Sequence, residues 1–138
     1  MTNGKKRSDC PISCSLDIWG DKWSLLIIRD LMFAKECTYG DFLKSKEGIA
    51  TNILASRLLT LEENKIIEKH DHPDSKAKVL YKLTRKGIDL LPILLEINLW
   101  AEKYSDIPAD RKAMLKEVKK DKLGFIKAMT KELEKTLT

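Results

Sequence analysis

Between Ala50 and Gly87 a helical apolar period gives way to two short β-rich runs around a polar tip, and few folds accommodate that order. Leu54, Leu58 and Leu61 recur at i, i+4 and i+7 on one face of a helix running from about Ala50 to Glu63, leaving Thr51, Asn52, Ala55 and Ser56 on the other. Small hydroxyl and amide side chains let such a helix sit deep in a DNA major groove and offer donors and acceptors to base edges. The runs Lys65–His70 and Lys78–Leu83 bracket a turn-forming tip, His72–Ala77, that carries Lys76. A helix followed by such a hairpin predicts a winged helix, with the hairpin as its wing.

The flanking segments complete that pattern. Cys10-Pro11 opens a first helix that ends at Gly20, Pro11 fitting the first helical position because its missing N–H would be unpaired anyway. A second helix is predicted from about Lys22 to Phe33, burying Trp23, Leu26, Ile27 and Leu31, and a shorter one over Thr38–Lys44. Ser45–Gly48 is then the turn of a helix-turn-helix unit. Downstream, Thr84 caps a helix through Leu90, Leu94, Ile97, Trp100 and Tyr104, in which Pro92 imposes a kink or a restart. After a break at Ser105–Pro108, Leu115, Val118, Phe125, Ile126, Met129, Leu133 and Leu137 form an amphipathic, lysine-rich tail, with Gly124 as its expected interruption. The fold class is therefore mainly α with a small β-hairpin. Its predicted divisions are a basic arm (1–9), a winged helix-turn-helix domain (10–104) and a helical extension (105–138).

The net charge of +5 is mild, but its distribution is uneven. Lys44 to Lys86 holds ten Lys or Arg against six Asp or Glu, whereas Asp9 to Leu43 is net acidic. A basic surface attracts phosphate, and its placement on a winged-helix pattern points to double-stranded DNA as partner. Lys46, Arg57, Lys76 and Lys78 are the expected backbone contacts, which position a protein on the duplex without reading sequence. Arg57 has two readings, reaching a phosphate or pairing with an acid. His72 stands between entering a minor groove and staying solvated. No apolar run approaches the roughly 20 residues that span a bilayer, and Met1 to Cys10 has no signal-peptide apolar region, so a cytoplasmic protein without a membrane partner is expected. Three cysteines, Cys10, Cys14 and Cys37, cannot all pair within one chain, which suits a reducing compartment.

Two blocks of residues resemble the HxlR-type branch of bacterial winged-helix transcription regulators, which is close to the MarR-like regulators in fold. The first is Cys10-Pro11 followed by Leu16-Asp17-Ile18-Trp19-Gly20-Asp21-Lys22-Trp23-Ser24-Leu25-Leu26-Ile27-Ile28-Arg29-Asp30-Leu31. The second runs from Gly48-Ile49 through Leu54, Arg57-Leu58, Leu61-Glu62-Glu63 and Ile66 to Tyr81-Lys82-Leu83-Thr84-Arg85-Lys86-Gly87 and on to Trp100. The resemblance covers about Cys10 to Tyr104. It implies a homodimer on a pseudo-palindromic operator, with terminal helices forming the dimer contact. The sequence departs from the family pattern at Asp21, where a second glycine is usual, at Ala50, where serine is frequent, and at Leu59, where a basic residue is common. Asn64 stands where glycine is frequent, and Asn tolerates the left-handed conformation.

Cys10 carries the chemistry of most interest. As the residue before Pro11 its sulfur is expected beside unpaired N–H groups at the positive end of a helix, which favours thiolate. The resemblance adds that some members use the matching cysteine as a redox or electrophile sensor, so a small-molecule or oxidant effector is expected. Cys14 is one helical turn away, at a Cβ separation of roughly 5–6 Å where a disulfide wants about 3.8 Å. A bond between protomers therefore fits oxidation better. The Cys-x3-Cys spacing has no partner pair, so no metal is expected. The chain has no nucleophile with a matching base and no glycine-rich phosphate loop, so neither a cofactor nor an enzyme activity is expected. The reading is a sequence-specific DNA-binding regulator in which Thr51, Asn52 and Ser56 address bases. The alternative is a winged-helix module that binds protein through its amphipathic tail.

Overall fold

The computed structural model describes residues 7–137, and the chain divides into two compact units, Met1–Gly87 and Ile88–Thr138. The first holds α1 (Pro11–Trp19), α2 (Lys22–Ala34), the two-residue strand β1 (Cys37–Thr38), α3 (Tyr39–Leu43), α4 (Thr51–Glu63) and the hairpin of β2 (Ile67–His72) and β3 (Ser75–Leu83). A short α5 (Arg85–Ile88) ends at the border. The second unit holds α6 (Leu91–Tyr104), α7 (Ala109–Lys120) and α8 (Lys122–Glu134). This is a winged helix-turn-helix, mainly α with a small antiparallel sheet.

Local chemistry sets the element ends. Pro11 occupies the first turn of α1, where its missing N–H costs nothing. Asp21 caps α2 by accepting the Ser24 backbone N–H at 3.1 Å. Thr38 and Asp41 cap α3 reciprocally: the Thr38 hydroxyl accepts the Asp41 N–H at 3.1 Å, and the Asp41 carboxylate accepts the Thr38 N–H at 2.8 Å. Ala50, with no hydroxyl to offer, leaves α4 without a side-chain cap.

The sheet order is β1-β3-β2. β1 pairs antiparallel with β3 through Cys37–Tyr81 and Thr38–Leu80, an element that sequence periodicity does not reveal. The hairpin is longer and tighter than predicted. The β2 strand reaches His72, β3 starts at Ser75, and only Pro73 and Asp74 form the tip, with a bulge between Asp71 and His72. Lys76 thus lies in β3, not in the turn.

Leu54 and Leu61 of α4 are fully buried and Leu58 nearly so, together with Ile28 and Leu31 of α2, Ile66, Ile67 and Leu83. Trp23 and Leu26, expected in the core, are only half-buried; Ile27 and Leu31 are buried as expected, and Ser24, Ile28 and Met32 join them. The left-handed backbone after α4 falls on Lys65 (φ 63°) and not on Asn64 (φ −90°), whose side-chain amide donates instead to the Thr60 carbonyl at 2.9 Å.

Thr84 closes the first unit. Its N–H donates to the Ile66 carbonyl at 3.0 Å, its hydroxyl to the Lys65 carbonyl at 2.5 Å, and its oxygen accepts the Gly87 N–H at 3.2 Å. The helix it caps is the short α5. Of the two expectations for Pro92 the restart holds, because Pro92 sits in the first turn of a new helix, where no N–H is required.

In the second unit α7 and α8 pack with α6, burying Leu115, Val118 and Leu133. Polar links pin the α7–α8 hairpin to α6: Lys119 pairs with Glu102 at 2.6 Å, Lys122 pairs with Glu96, and Arg111 donates to the Asn98 side-chain oxygen at 2.9 Å. The tail breaks at Asp121, not at Gly124. The Asp121 carboxylate caps α8 by accepting the Gly124 N–H at 3.0 Å, so Gly124 belongs to the first turn. Among the described residues no helix is long and apolar enough to cross a membrane.

A Cβ added at Gly87 would collide with the Ile66 carbonyl oxygen and lie 2.8 Å from Leu83 Cδ2, whereas one at Gly40 meets nothing nearer than 3.8 Å. Gly87→Ala is expected to lower the unfolding free energy in a urea titration by about 1–3 kcal/mol, as overpacking does. Gly40→Ala is expected to be neutral or mildly stabilising in the same titration.

Candidate nucleic-acid interface

The turn before α4 is shaped by Gly48, which at φ +72° takes a conformation other residues resist, its N–H donating to the Ser45 carbonyl at 3.3 Å. Glu47 in that turn is tied to Arg29 of α2 at 3.0 Å, and Lys46 beside it is exposed. The Tyr39 hydroxyl donates to the Thr51 carbonyl at 2.8 Å, fixing the first turn of α4 against α3. With the leucine face buried, Thr51, Asn52, Ala55 and Ser56 are exposed together along one side of α4, and Leu59 joins them at 56% exposure. The side chains of Thr51 and Asn52 have no protein partner among the described residues.

Lys76 and Lys78 are exposed on β3, two residues apart and so on one face of the wing. Lys78 lines a groove of about 300 Å³ with Tyr39, Lys44 and Tyr81, so the wing and α3, whose Tyr39 bonds the first turn of α4, meet at one place. His72 does not project freely: its Nδ1 accepts the Asp74 N–H at 3.0 Å and closes the two-residue tip. Arg57 takes the acidic one of its two readings, its Nε donating to Asp21 Oδ2 at 2.8 Å. Partial burial works against the Asp21 charge, but hydrogen bonds from Ser24 and Arg57 outweigh it and hold the carboxyl below its ordinary range. Backbone and hydroxyl hydrogen bonds within the Thr38–Asp41 box do the same for Asp41.

Sequence reading missed Asp21 and Tyr39 as parts of this interface. Asp21 reads in the sequence only as a departure from a usual glycine, and its partner is 36 residues away. Tyr39 carries no pattern signal at all.

The cysteines are three free thiols in different settings. Cys10 is exposed at the N-cap of α1 but makes no side-chain cap bond, and its own N–H donates to the Ser8 hydroxyl at 3.1 Å. The sulfur is therefore accessible without being held against the first-turn amides. Cys14 is half-buried and its thiol donates to the Ser8 carbonyl at 2.7 Å. Arg7 fastens the preceding segment to α1, its guanidinium binding both Asp17 oxygens at 3.0 Å and touching the Ser13 hydroxyl. The other arm cations, Lys5 and Lys6, lie outside the described residues. Cys37 is buried, and that burial, with Asp30, Asp41 and Glu36 nearby, pushes its thiol up to about 12. Alkylation with iodoacetamide at pH 8 followed by mass spectrometry is expected to label Cys10 first and to leave Cys37 unlabelled until the protein unfolds.

A sequence profile described as HxlR-like helix-turn-helix matches residues 18–108. The HTH-type transcriptional regulator YdeP of Bacillus subtilis is 33% identical over 108 residues, covering 75% of this chain and 84% of that protein. The structure is similar to that of the redox regulator HypR in its oxidised form (28% identity, TM-score 0.63, covering 71% of this chain and all of HypR). It is also similar to quinone-bound YodB from B. subtilis (30% identity, TM-score 0.58, 69% of this chain and 99% of YodB). The chain belongs to the HxlR-like helix-turn-helix family and is a transcriptional regulator of the helix-turn-helix type.

Proposed function

We propose that this regulator binds operator DNA sequence-specifically as a homodimer and that Cys10 makes it responsive to oxidants or electrophiles. The observation that carries the DNA reading is the exposed side of α4, small, polar and unpartnered at Thr51 and Asn52, on a helix whose opposite face is locked into the core. In this reading α4 enters the major groove, with Thr51, Asn52 and Ser56 addressing base edges. Lys46, Lys76 and Lys78 meet phosphate from the turn and the wing, and Arg57, tied to Asp21, stands apart from them.

The homodimer reading is supported by the apolar residues left uncovered on single helices. On α6, Ile93, Ile97, Trp100 and Tyr104 follow one another along one exposed face, Trp100 being 65% exposed and packed against Tyr104 with the rings tilted and 5.2 Å between centroids. Pro92, Ile93, Ile97 and Trp100 line an open groove of about 430 Å³ there. Ile12 and Leu16 are similarly exposed on α1. Large contiguous apolar patches mark association surfaces. The oxidant reading rests on the exposed Cys10 thiol and on the likeness to HypR, a redox regulator, and to YodB, which was captured with quinone bound.

Fluorescence anisotropy against DNA from upstream of the protein's own gene and against scrambled DNA tests the DNA reading. Asn52→Ala is expected to cost about 1–3 kcal/mol on the operator and little on scrambled DNA, whereas Lys76→Ala weakens both and flattens the salt slope by about one unit. Equal losses from both variants would refute the assignment. Treatment with diamide, which couples two thiols into a disulfide, should change operator affinity and give linked dimers on non-reducing gels, and Cys10→Ser should abolish both effects. In sedimentation velocity, Ile97→Asp is expected to shift the protein from dimer to monomer at micromolar concentration.

A further inference from the structure

Arg57 is the basic side chain on the DNA-facing helix that the fold has already engaged. From the geometry of its contacts, and resting on the reading of α4 as the DNA-facing helix, we infer that Asp21 withholds Arg57 from phosphate. The ion pair restrains sequence-independent binding, while Arg57 is a positioning residue for Ser56.

Arg57 is held at two points. Its Nε donates to Asp21 Oδ2 at 2.8 Å, and its Nη1 donates to the Ser56 hydroxyl oxygen at 3.2 Å. The acceptor is fixed in turn, because Asp21 Oδ1 receives the Ser24 hydroxyl at 2.6 Å and Oδ2 receives the Ser24 N–H at 3.1 Å. Ser24 has no exposed surface, so the carboxylate is anchored to a buried residue in the first turn of α2 and does not follow a guanidinium that swings outward. If Arg57 left for a phosphate, Asp21 would stay behind as an uncompensated negative charge beside a polyanion. Both side chains keep about a third of their surface in solvent (34% and 38%), so the pair can be opened by a single substitution.

The second contact bears on what α4 can read. The Arg57 donor occupies one acceptor position of the Ser56 hydroxyl, which leaves the Ser56 O–H to act as donor. Ser56 is then biased toward acceptor atoms on a base edge, such as purine N7, guanine O6 or thymine O4.

Salt titrations on a mixed-sequence duplex test this with the full chain as wild type, Asp21→Asn, Arg57→Gln and the double variant. Asparagine still accepts the Ser24 N–H through its amide oxygen, so α2 keeps a cap, and without the negative charge that oxygen holds the Arg57 guanidinium only by a weaker neutral-acceptor bond. Asp21→Asn is expected to steepen the slope of log affinity against log salt by about one unit per protomer, as one added phosphate contact does. Arg57→Gln should leave the slope at its wild-type value, and the double variant should lose the gain. A gain that persists in the double variant would trace to the removed negative charge and overturn the inference. So would a slope that falls by about one unit in Arg57→Gln, since Arg57 would then contact phosphate already. An unchanged slope in Asp21→Asn overturns this inference alone, whereas a wild type with no salt-dependent duplex binding overturns the reading of α4 and this inference with it.

Discussion

The arrangement depends on the burial of one helix face. Leu54, Leu58 and Leu61 sink into the core shared with α2 and the sheet, and this fixes the rotation of α4 about its own axis. A helix rotated by one residue, about 100°, would bury Ala55 and drag Asn52 and Ser56 out of line. Apolar packing at the back of the helix thus determines the chemistry at the front. The polar links around it, Tyr39 to the Thr51 carbonyl and Arg57 to Asp21, are each too exposed to hold the helix, but they set its axial position and its first turn.

What was legible in the sequence follows from how local each signal is. The leucine spacing of α4, the proline at the start of α1 and the β-rich runs of the wing are contained within a few turns of chain. The two helices are found at nearly the expected bounds, and the hairpin is found with strand ends shifted by a few residues. β1 was not legible because two residues carry no period, and Cys37 and Thr38 become a strand only by pairing with Tyr81 and Leu80 far along the chain. Propensity places the break in the tail at Gly124, but the Asp121 carboxylate accepts a first-turn N–H of α8 and makes Asp121 the stronger stop. Trp23 and Leu26 look like core by their helical spacing, yet the buried face of α2 is centred on Ile27, Ile28, Leu31 and Met32, and Ser24 can share it because its hydroxyl has Asp21 as a partner.

The candidate interface was legible in the same uneven way. The small polar face of α4 is a direct corollary of its apolar period, which alone places Thr51, Asn52 and Ser56 on it. The electrostatics could not. Arg57 has two partners in principle, and only the three-dimensional proximity of the α2 start to the middle of α4 selects Asp21. Similarly, the Cys10 position could be read, but not that Ser8 would occupy the N–H of Cys10 and the thiol of Cys14.

The topology of the small sheet bears on how the free protein avoids its own kind. β1 covers β3 only at Tyr81 and Leu80, so from Ser75 to Val79 that edge of the wing presents backbone donors and acceptors with no strand beside them among the described residues. An open edge of this sort is a template on which the edge of another molecule can zip, the first step toward aggregation. Lys76 and Lys78 stand along that stretch, and a second wing approaching it would bring its own two lysines against them. The bulge between Asp71 and His72 adds local twist near the tip, which spoils the flat register that stacking strands require. The charges proposed to meet a nucleic-acid backbone therefore also oppose edge-to-edge pairing of copies, so neutralising them is expected to cost colloidal stability.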